Sequence, residues 1–264
     1  MAATDPWPSA AQLDEAYAGW YRPESGRFSG LGDALLRRSR GRLAKRLDRI
    51  APPGTVLDVG AGDGALLDAL RAVGRQGLGV ERHSTRPDVV AGELSDLEGG
   101  RAAVVFWHSL EHLPRPAEAL HAAVGLLAEG GVLVVAIPNA ASLQARVFGD
   151  DWLALDLPRH LVHVSADALL ARLGEEGLRV ERVSHLRGGQ VVFGWLHGLV
   201  GSLPGGPHLY DAIRRPAARS RPLPGRERAL ALLAGALLLP VAVACTAVEA
   251  AIGRGGTVYV EARL

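Results

Sequence analysis

Leu57-Asp58-Val59-Gly60-Ala61-Gly62-Asp63-Gly64-Ala65 decides how this 264-residue chain folds. A short apolar run meets three alternate glycines and passes straight into the helical pattern GALLDALRAVG, residues 64–74. Glycines at such a junction let the backbone turn sharply and approach a ligand closely, while the helix start offers N–H groups to an anion. By itself the stretch is ambiguous, because Gly60, Gly62 and Ala65 also satisfy the dinucleotide pattern G-x-G-x-x-A.

Outward from this junction, apolar runs alternate with helical patterns. TVLDVG (55–60), QGLGVE (76–81), DVVAGEL (88–94), AAVVFWHS (102–109) and VLVVAIPN (132–139) read as strands. PAEALHAAVGLLAEGG (116–131) reads as a helix with a Gly-Gly end. SADALLARLGEEG (165–177), with Ser165 as N-cap, is a second helix, and LRVERVSHL and GGTVYVEARL are late strands. Runs of Val, Ile and Leu without polar alternation suit strands buried on both faces. The succession predicts an α/β fold: a Rossmann-like, seven-stranded, mostly parallel sheet with helices on both faces.

The flanks differ. Residues 1–34 are rich in Trp, Tyr, Gly and Pro and read as a lid. In 35–50, Leu36, Leu43, Leu47 and Ile50 share one helical face, with six arginines and Lys45 elsewhere. The expected division is therefore 1–50 as lid and basic helix, 51–187 with 254–264 as the sheet domain, and 188–253 as a helical apolar insertion. Within the insertion, residues 229–248 form twenty residues without a charge, long enough to cross a bilayer. A complete crossing would leave the last strand on the wrong side of the membrane. The insertion is therefore expected to be a buried helix, an interfacial hairpin or an oligomer contact, kinked at Pro240.

Composition narrows function. A formal net charge of +1 argues against nucleic acid as a partner. Cys245 is the only cysteine, so no intrachain disulfide forms and a reducing, cytoplasmic location is expected.

Three further features accompany the glycines. Asp58 lies two residues before the first of them, Glu81 ends the second strand, and the fourth strand leads into Trp107-His108-Ser109-Leu110-Glu111-His112-Leu113-Pro114. Together they resemble the class I S-adenosylmethionine-dependent methyltransferases. The likeness is closest to a bacterial group whose fifth strand ends in Pro-Asn, here Pro138-Asn139.

The resemblance implies S-adenosyl-L-methionine as cofactor. Asp58 would favour its ammonium, and Gly60, Ala61, Gly62 and Gly64 would cradle it, with amides from Gly62 to Ala65 meeting its carboxylate. Glu81 would hold the ribose, Glu93 and Leu94 would contact adenine, and Trp107 and His108 would pass the methionine moiety. A hydroxyl acceptor wants a base, for which His108, Glu111, His112 and His160 are the candidates. His160-x-x-His163 alone lacks the carboxylate or thiol cluster of a metal site, so no metal is expected.

Arg214, Arg215, Arg219, Arg221, Arg226 and Arg228 precede the uncharged run. They suit peripheral contact with the inner face of an anionic membrane, and a sugar, glycolipid or quinone-like acceptor. The alternatives are an NAD(P)-dependent dehydrogenase, disfavoured by Asp58, and a non-catalytic scaffold of the same fold at the membrane.

Overall fold

The computed structural model describes residues 1–18, 28, 32–82, 84, 86–187 and 190–264. Seven strands make the main sheet: β1 (Val56–Val59), β2 (Gly77–Val80), β3 (Val89–Val90), β4 (Arg101–Trp107), β5 (Leu127–Pro138), β6 (Arg179–Ser184) and β7 (Thr257–Arg263). Their order is β3-β2-β1-β4-β5-β7-β6. Strands β3 through β5 pair in parallel, and β7 runs antiparallel between β5 and β6. The order reverses between β1 and β4, and an open α/β sheet leaves a crevice beyond the carboxyl ends of its strands at such a point.

Nine helices follow among the described residues: α1 (Ala10–Ala18), α2 (Gly32–Ile50), α3 (Ala65–Arg71), α4 (Pro116–Gly125), α5 (Leu143–Phe148), α6 (Ala166–Glu175), α7 (Val191–Gly201), α8 (Leu209–Ile213) and α9 (Gly225–Ala251). On one face of the sheet, Leu43 and Leu47 of α2 and Leu66 and Leu70 of α3 pack on Val105, Val134 and Tyr259. On the other, Leu120 of α4 and Leu169 and Leu173 of α6 pack on Val104, Phe106 and Val135. Each such leucine stabilises the fold by roughly 1.5–3 kcal/mol through burial. As expected, Ser165 caps α6, its Oγ accepting from the Ala168 N–H at 3.2 Å.

The structure differs from these expectations at several places. Helix α4 stops at Gly125, and Leu127 already belongs to β5. The pairing with β4 slips between Arg101 and Ala103, and Gly130-Gly131 accommodates this bulge where a helix end was expected. The apolar face of helix α2 packs on the sheet through Leu43, Ala44 and Leu47. Its amino-terminal turns emerge from that core, so Leu36 is 45% exposed.

The uncharged run 229–248 is not a buried helix. Helix α9 runs unbroken through Pro240, and most of its surface faces outward. A stripe of mostly small residues, with Leu238 and Glu249, packs inward, which leaves most of the helix's leucines uncovered. Of the lid segment, Ala2–Ala3 pair antiparallel with Val162–His163 and α1 is formed, while 19–27 and 29–31 lie outside the described residues. Positions 188 and 189, at the boundary assigned to the insertion, lie outside them too.

Candidate active site

The loop after β1 is fixed from two sides. Gly60 and Ala61 donate their N–H groups to the Val80 carbonyl of β2, at 2.8 and 3.1 Å. Gly60 adopts φ +78°, and a Cβ built on it would lie 2.4 Å from the Ser109 Cβ. The β1 and β4 loops therefore touch, which only glycine permits at that position. Gly62 and Gly64 also have positive φ and carry the chain into α3.

Asp58 is buried in β1 beneath this loop. Burial pushes its carboxyl up to about 7, helped by Glu81 and Asp63 and opposed by Arg40. Arg40 comes from α2, where it fills the gap between Leu36 and Leu43 on the apolar face; that spacing was the available clue to an arginine pointing at the sheet. Its guanidinium lies 5.1 Å from the Trp107 ring centroid. Trp107 also meets the Tyr259 ring at 6.1 Å. Its indole thus packs against α2 and β7 at the end of β4.

Glu81 leaves the end of β2 and folds onto the loop. Its carboxylate accepts from Gly62 N–H at 3.0 Å and from Arg82 N–H at 2.8 Å. Gly64 N–H donates to the Ala61 carbonyl and Ala65 N–H to Asp63 Oδ1. The amides from Gly62 to Ala65, expected to be bare, are thus largely taken by the loop's own acceptors. A short polar loop satisfies its donors locally in this way. Arg86 was missed in the sequence: it reaches across to Asp68 and the Asp63 carbonyl, over Gly64. Glu93 is exposed at the start of a short 3₁₀ turn, and the Leu94 side chain enters the core.

Beyond β4 the chain is strained and polar. His108 has φ +54°, a conformation that bulky residues adopt at a cost and that recurs at functional sites. Its Nδ1 lies 3.5 Å from Glu111 Oε1, and His160 Nε2 lies 3.9 Å from the same oxygen. The His112 and His160 rings meet edge-on at 4.7 Å. All four candidate bases, separated by up to 52 positions in the chain, thus converge around the Glu111 carboxylate. His163 does not join them; it meets Thr4 Oγ1 at 3.2 Å. Arg159 pairs with Asp156.

Both Glu111 carboxylate oxygens, His108 Nε2 and Ser109 Oγ are buried without a hydrogen-bond partner. Burial alone would raise the Glu111 carboxyl, yet His108, His160 and His112 around it hold it below the usual carboxylate range. Burial brings the His160 imidazole down to about 4, against the pull of Glu111. Buried polar atoms at this depth call for a partner, whether ordered water or a polar ligand. Tyr17 of α1 closes the top, its hydroxyl 3.1 Å from His112 Nδ1, and burial raises its phenol to about 12.

The ligand atoms of Glu111, His112 and His160 lie within 4.8 Å of one another. His112 Nδ1 meets the Arg159 carbonyl at 2.9 Å and His160 Nδ1 the Ala154 carbonyl at 2.8 Å. Such backbone contacts orient imidazoles for ligation, so these three side chains can hold a metal ion. The sequence reading lacked the carboxylate because Glu111 and His160 are distant in the chain.

Comparisons with known proteins bear on the family and the fold. Residues 34–183 match the family model of a methyltransferase domain. A relative, the ubiquinone biosynthesis O-methyltransferase of Xanthomonas campestris pv. campestris (strain B100), is 29% identical over 161 residues, covering 52% of this chain and 67% of that protein. Among solved structures, a SAM dependent methyltransferase from Archaeoglobus fulgidus superposes with TM-score 0.50 at 18% identity, covering 85% of this chain and 94% of that one. The [4+2]-cyclase SpnF superposes with TM-score 0.54 at 18% identity, over 100% and 98% of the two chains. The chain also matches the mitomycin 7-O-methyltransferase MmcR at 19% identity and TM-score 0.45, over 58% of its own length and half of that protein's. The Archaeoglobus fulgidus and SpnF structures establish the fold, and the family model distinguishes methyl transfer from the dehydrogenase alternative.

Proposed function

Because the chain belongs to the class I S-adenosylmethionine-dependent methyltransferases, we propose that it transfers the methyl group to an oxygen of a small sugar, glycolipid or quinone-like acceptor. The observation that carries this reading is the meeting of two groups of residues at the sheet's reversal point. Asp58 and the Gly60–Gly64 loop stand on one side, and the Glu111-centred histidines on the other.

S-adenosyl-L-methionine supplies an electrophilic methyl group on a sulfonium. The residues present fit it: a buried carboxylate at Asp58 waits for a cation, and Glu81 stands at the end of β2 where a ribose can be held. Glu81 would hold the ribose in place of its bond to Gly62 N–H, which would leave that amide to the cofactor. Glu93 by its side chain and Leu94 by its backbone N–H would contact the adenine.

His108 takes the acceptor's proton. Its strained backbone directs the ring, Nδ1 faces Glu111, and buried Nε2 has no other partner. An imidazole backed by a carboxylate is the usual design of a base working near neutral pH. His112 and His160 position Glu111, and Tyr17 with α1 excludes water. The O-methyltransferase activity named for the Xanthomonas relative supports oxygen as the acceptor atom. The work is proposed to take place in the cytoplasm.

Labelled S-adenosylmethionine incubated with phenolic and lipid-extract acceptors tests the reading. Label is expected in an alkali-stable methyl ether, and the Glu111→Gln variant should lower kcat by about 100-fold without altering cofactor affinity. Label recovered only on amines or carboxyls would remove oxygen alkylation as the reaction.

A further inference from the structure

From the uncovered surface of α9 we infer that this chain docks on an anionic lipid leaflet, with α9 lying in the plane of the interface. The helix is 27 residues long, about 40 Å at 1.5 Å per residue. Its buried stripe is Ala231, Gly235, Ala242, Thr246 and Glu249, mostly small, with half-buried Leu238 beside them. Its outward side carries the large side chains, with Leu233 59%, Leu237 71% and Val243 50% exposed. This reverses the pattern of a helix on a water-soluble domain, whose large apolar residues turn inward. The exposed residues cover roughly 200° of the circumference at 100° per residue.

Both ends of α9 are fastened to the same domain. At its carboxyl end, Glu249 accepts from Gln144 N–H, Gln144 Nε2 and Trp195 Nε1 at 2.8–3.0 Å. At its amino end, Arg228 donates to the Ala212 carbonyl of α8, and the segment after α8 is tied to α2 through Arg215 and Asp33. With both ends held on one side, the helix rests on the bilayer surface and does not cross it.

Charge completes the match. Between residues 208 and 228 six arginines stand against two carboxylates. Arg214, Arg215 and Arg221 are paired with Asp211, Asp33 and Glu227, while Arg226 is exposed. The end of α2 that Arg215 grips adds exposed Arg37 and Arg38 beside exposed Leu35 and Leu36. Arginines flanking an uncharged apolar helix fit phospholipid headgroups beside acyl chains. A second copy of the chain fits less well: even homodimer interfaces are only about 65% apolar, whereas residues 229–248 carry no charge at all.

The test is co-sedimentation of the full chain with vesicles of phosphatidylcholine alone or with about 30% phosphatidylglycerol, in low and high salt. The wild type should pellet with the anionic vesicles, less so in high salt. The double variant Leu233→Glu/Leu237→Glu should reduce partitioning by about tenfold or more. Arg37→Glu/Arg38→Glu/Arg226→Glu should abolish the preference for anionic vesicles. Binding of S-adenosylhomocysteine, measured on every variant, should stay at the wild-type value, which separates this docking from the cofactor reading. Wild-type protein that remains in the supernatant with both vesicles would overturn the inference. So would a vesicle-free dimer that the leucine variant splits without any change in pelleting.

Discussion

Gly60 and Ser109 bring the first and fourth strands into contact above the sheet, and a single methyl group would separate them. In Gly60→Ala the new Cβ would stand 2.4 Å from the Ser109 Cβ, in a backbone region that disfavours side chains. The variant is expected to lose about 1–3 kcal/mol of stability, measured by urea denaturation, and to bind cofactor more weakly. Asp58 makes a pH-dependent contribution. Burial raises its carboxyl from 3.8 to about 7, so the unfolded chain gives up that proton at lower pH than the folded one. Folding stability therefore falls as pH rises from about 4 to about 7, and the loss is complete above that. A cationic cofactor prefers the ionised carboxylate, so its affinity should rise several-fold between pH 6 and pH 8. Calorimetry on Asp58→Asn should show weaker binding with that rise absent, together with higher stability of the unliganded protein at pH 8. At this scale the sequence was informative wherever a residue type has one strong reason for its position. Glycines at a strand-to-helix turn and an acid ending the second strand are such cases. It was silent where partners come from afar: the φ of His108 and the Arg86 reach depend on packing that no local pattern encodes.

Among the elements, α9 is the one whose behaviour depends most on a few bonds. Glu249 is fully buried and receives three hydrogen bonds from Gln144 and Trp195. Glu249→Ala should leave those donors unsatisfied and cost about 2–4 kcal/mol. Hydrogen exchange should then accelerate in α7 and α9 while β1, β4 and β5 keep their protection. Uniform acceleration across the sheet would mean that the insertion folds as one unit with the core. The periodicity of α2 was legible, since Leu43 and Leu47 are buried where it placed them. Its first turns were misread because Leu36 faces outward near the arginine segment, a position set by tertiary contact. The end of α4 was misread for a different reason. Leu126-Leu127-Ala128 favours helix locally, but pairing of Leu127 with Arg101 in β4 draws it into the sheet.

For the molecule as a whole, alternating strands and helices were enough to predict a doubly wound sheet, because parallel connections obey one handedness and buried strands need uninterrupted apolar runs. The reversal of strand order between β1 and β4 then follows, and with it the location of the crevice. What the sequence did not reveal is the far wall of that crevice. His160 reaches Glu111 only because the segment after β5 folds back, braced by Thr4, which donates to the His160 carbonyl at 2.6 Å. The account rests on the cofactor lying between Asp58 and Glu81, and titration calorimetry with S-adenosylhomocysteine addresses this most directly. The wild type should bind one equivalent, and Glu81→Ala should bind at least tenfold more weakly while keeping the wild-type circular dichroism. Equal affinity in wild type and variant, or no binding to the folded wild type, would contradict it.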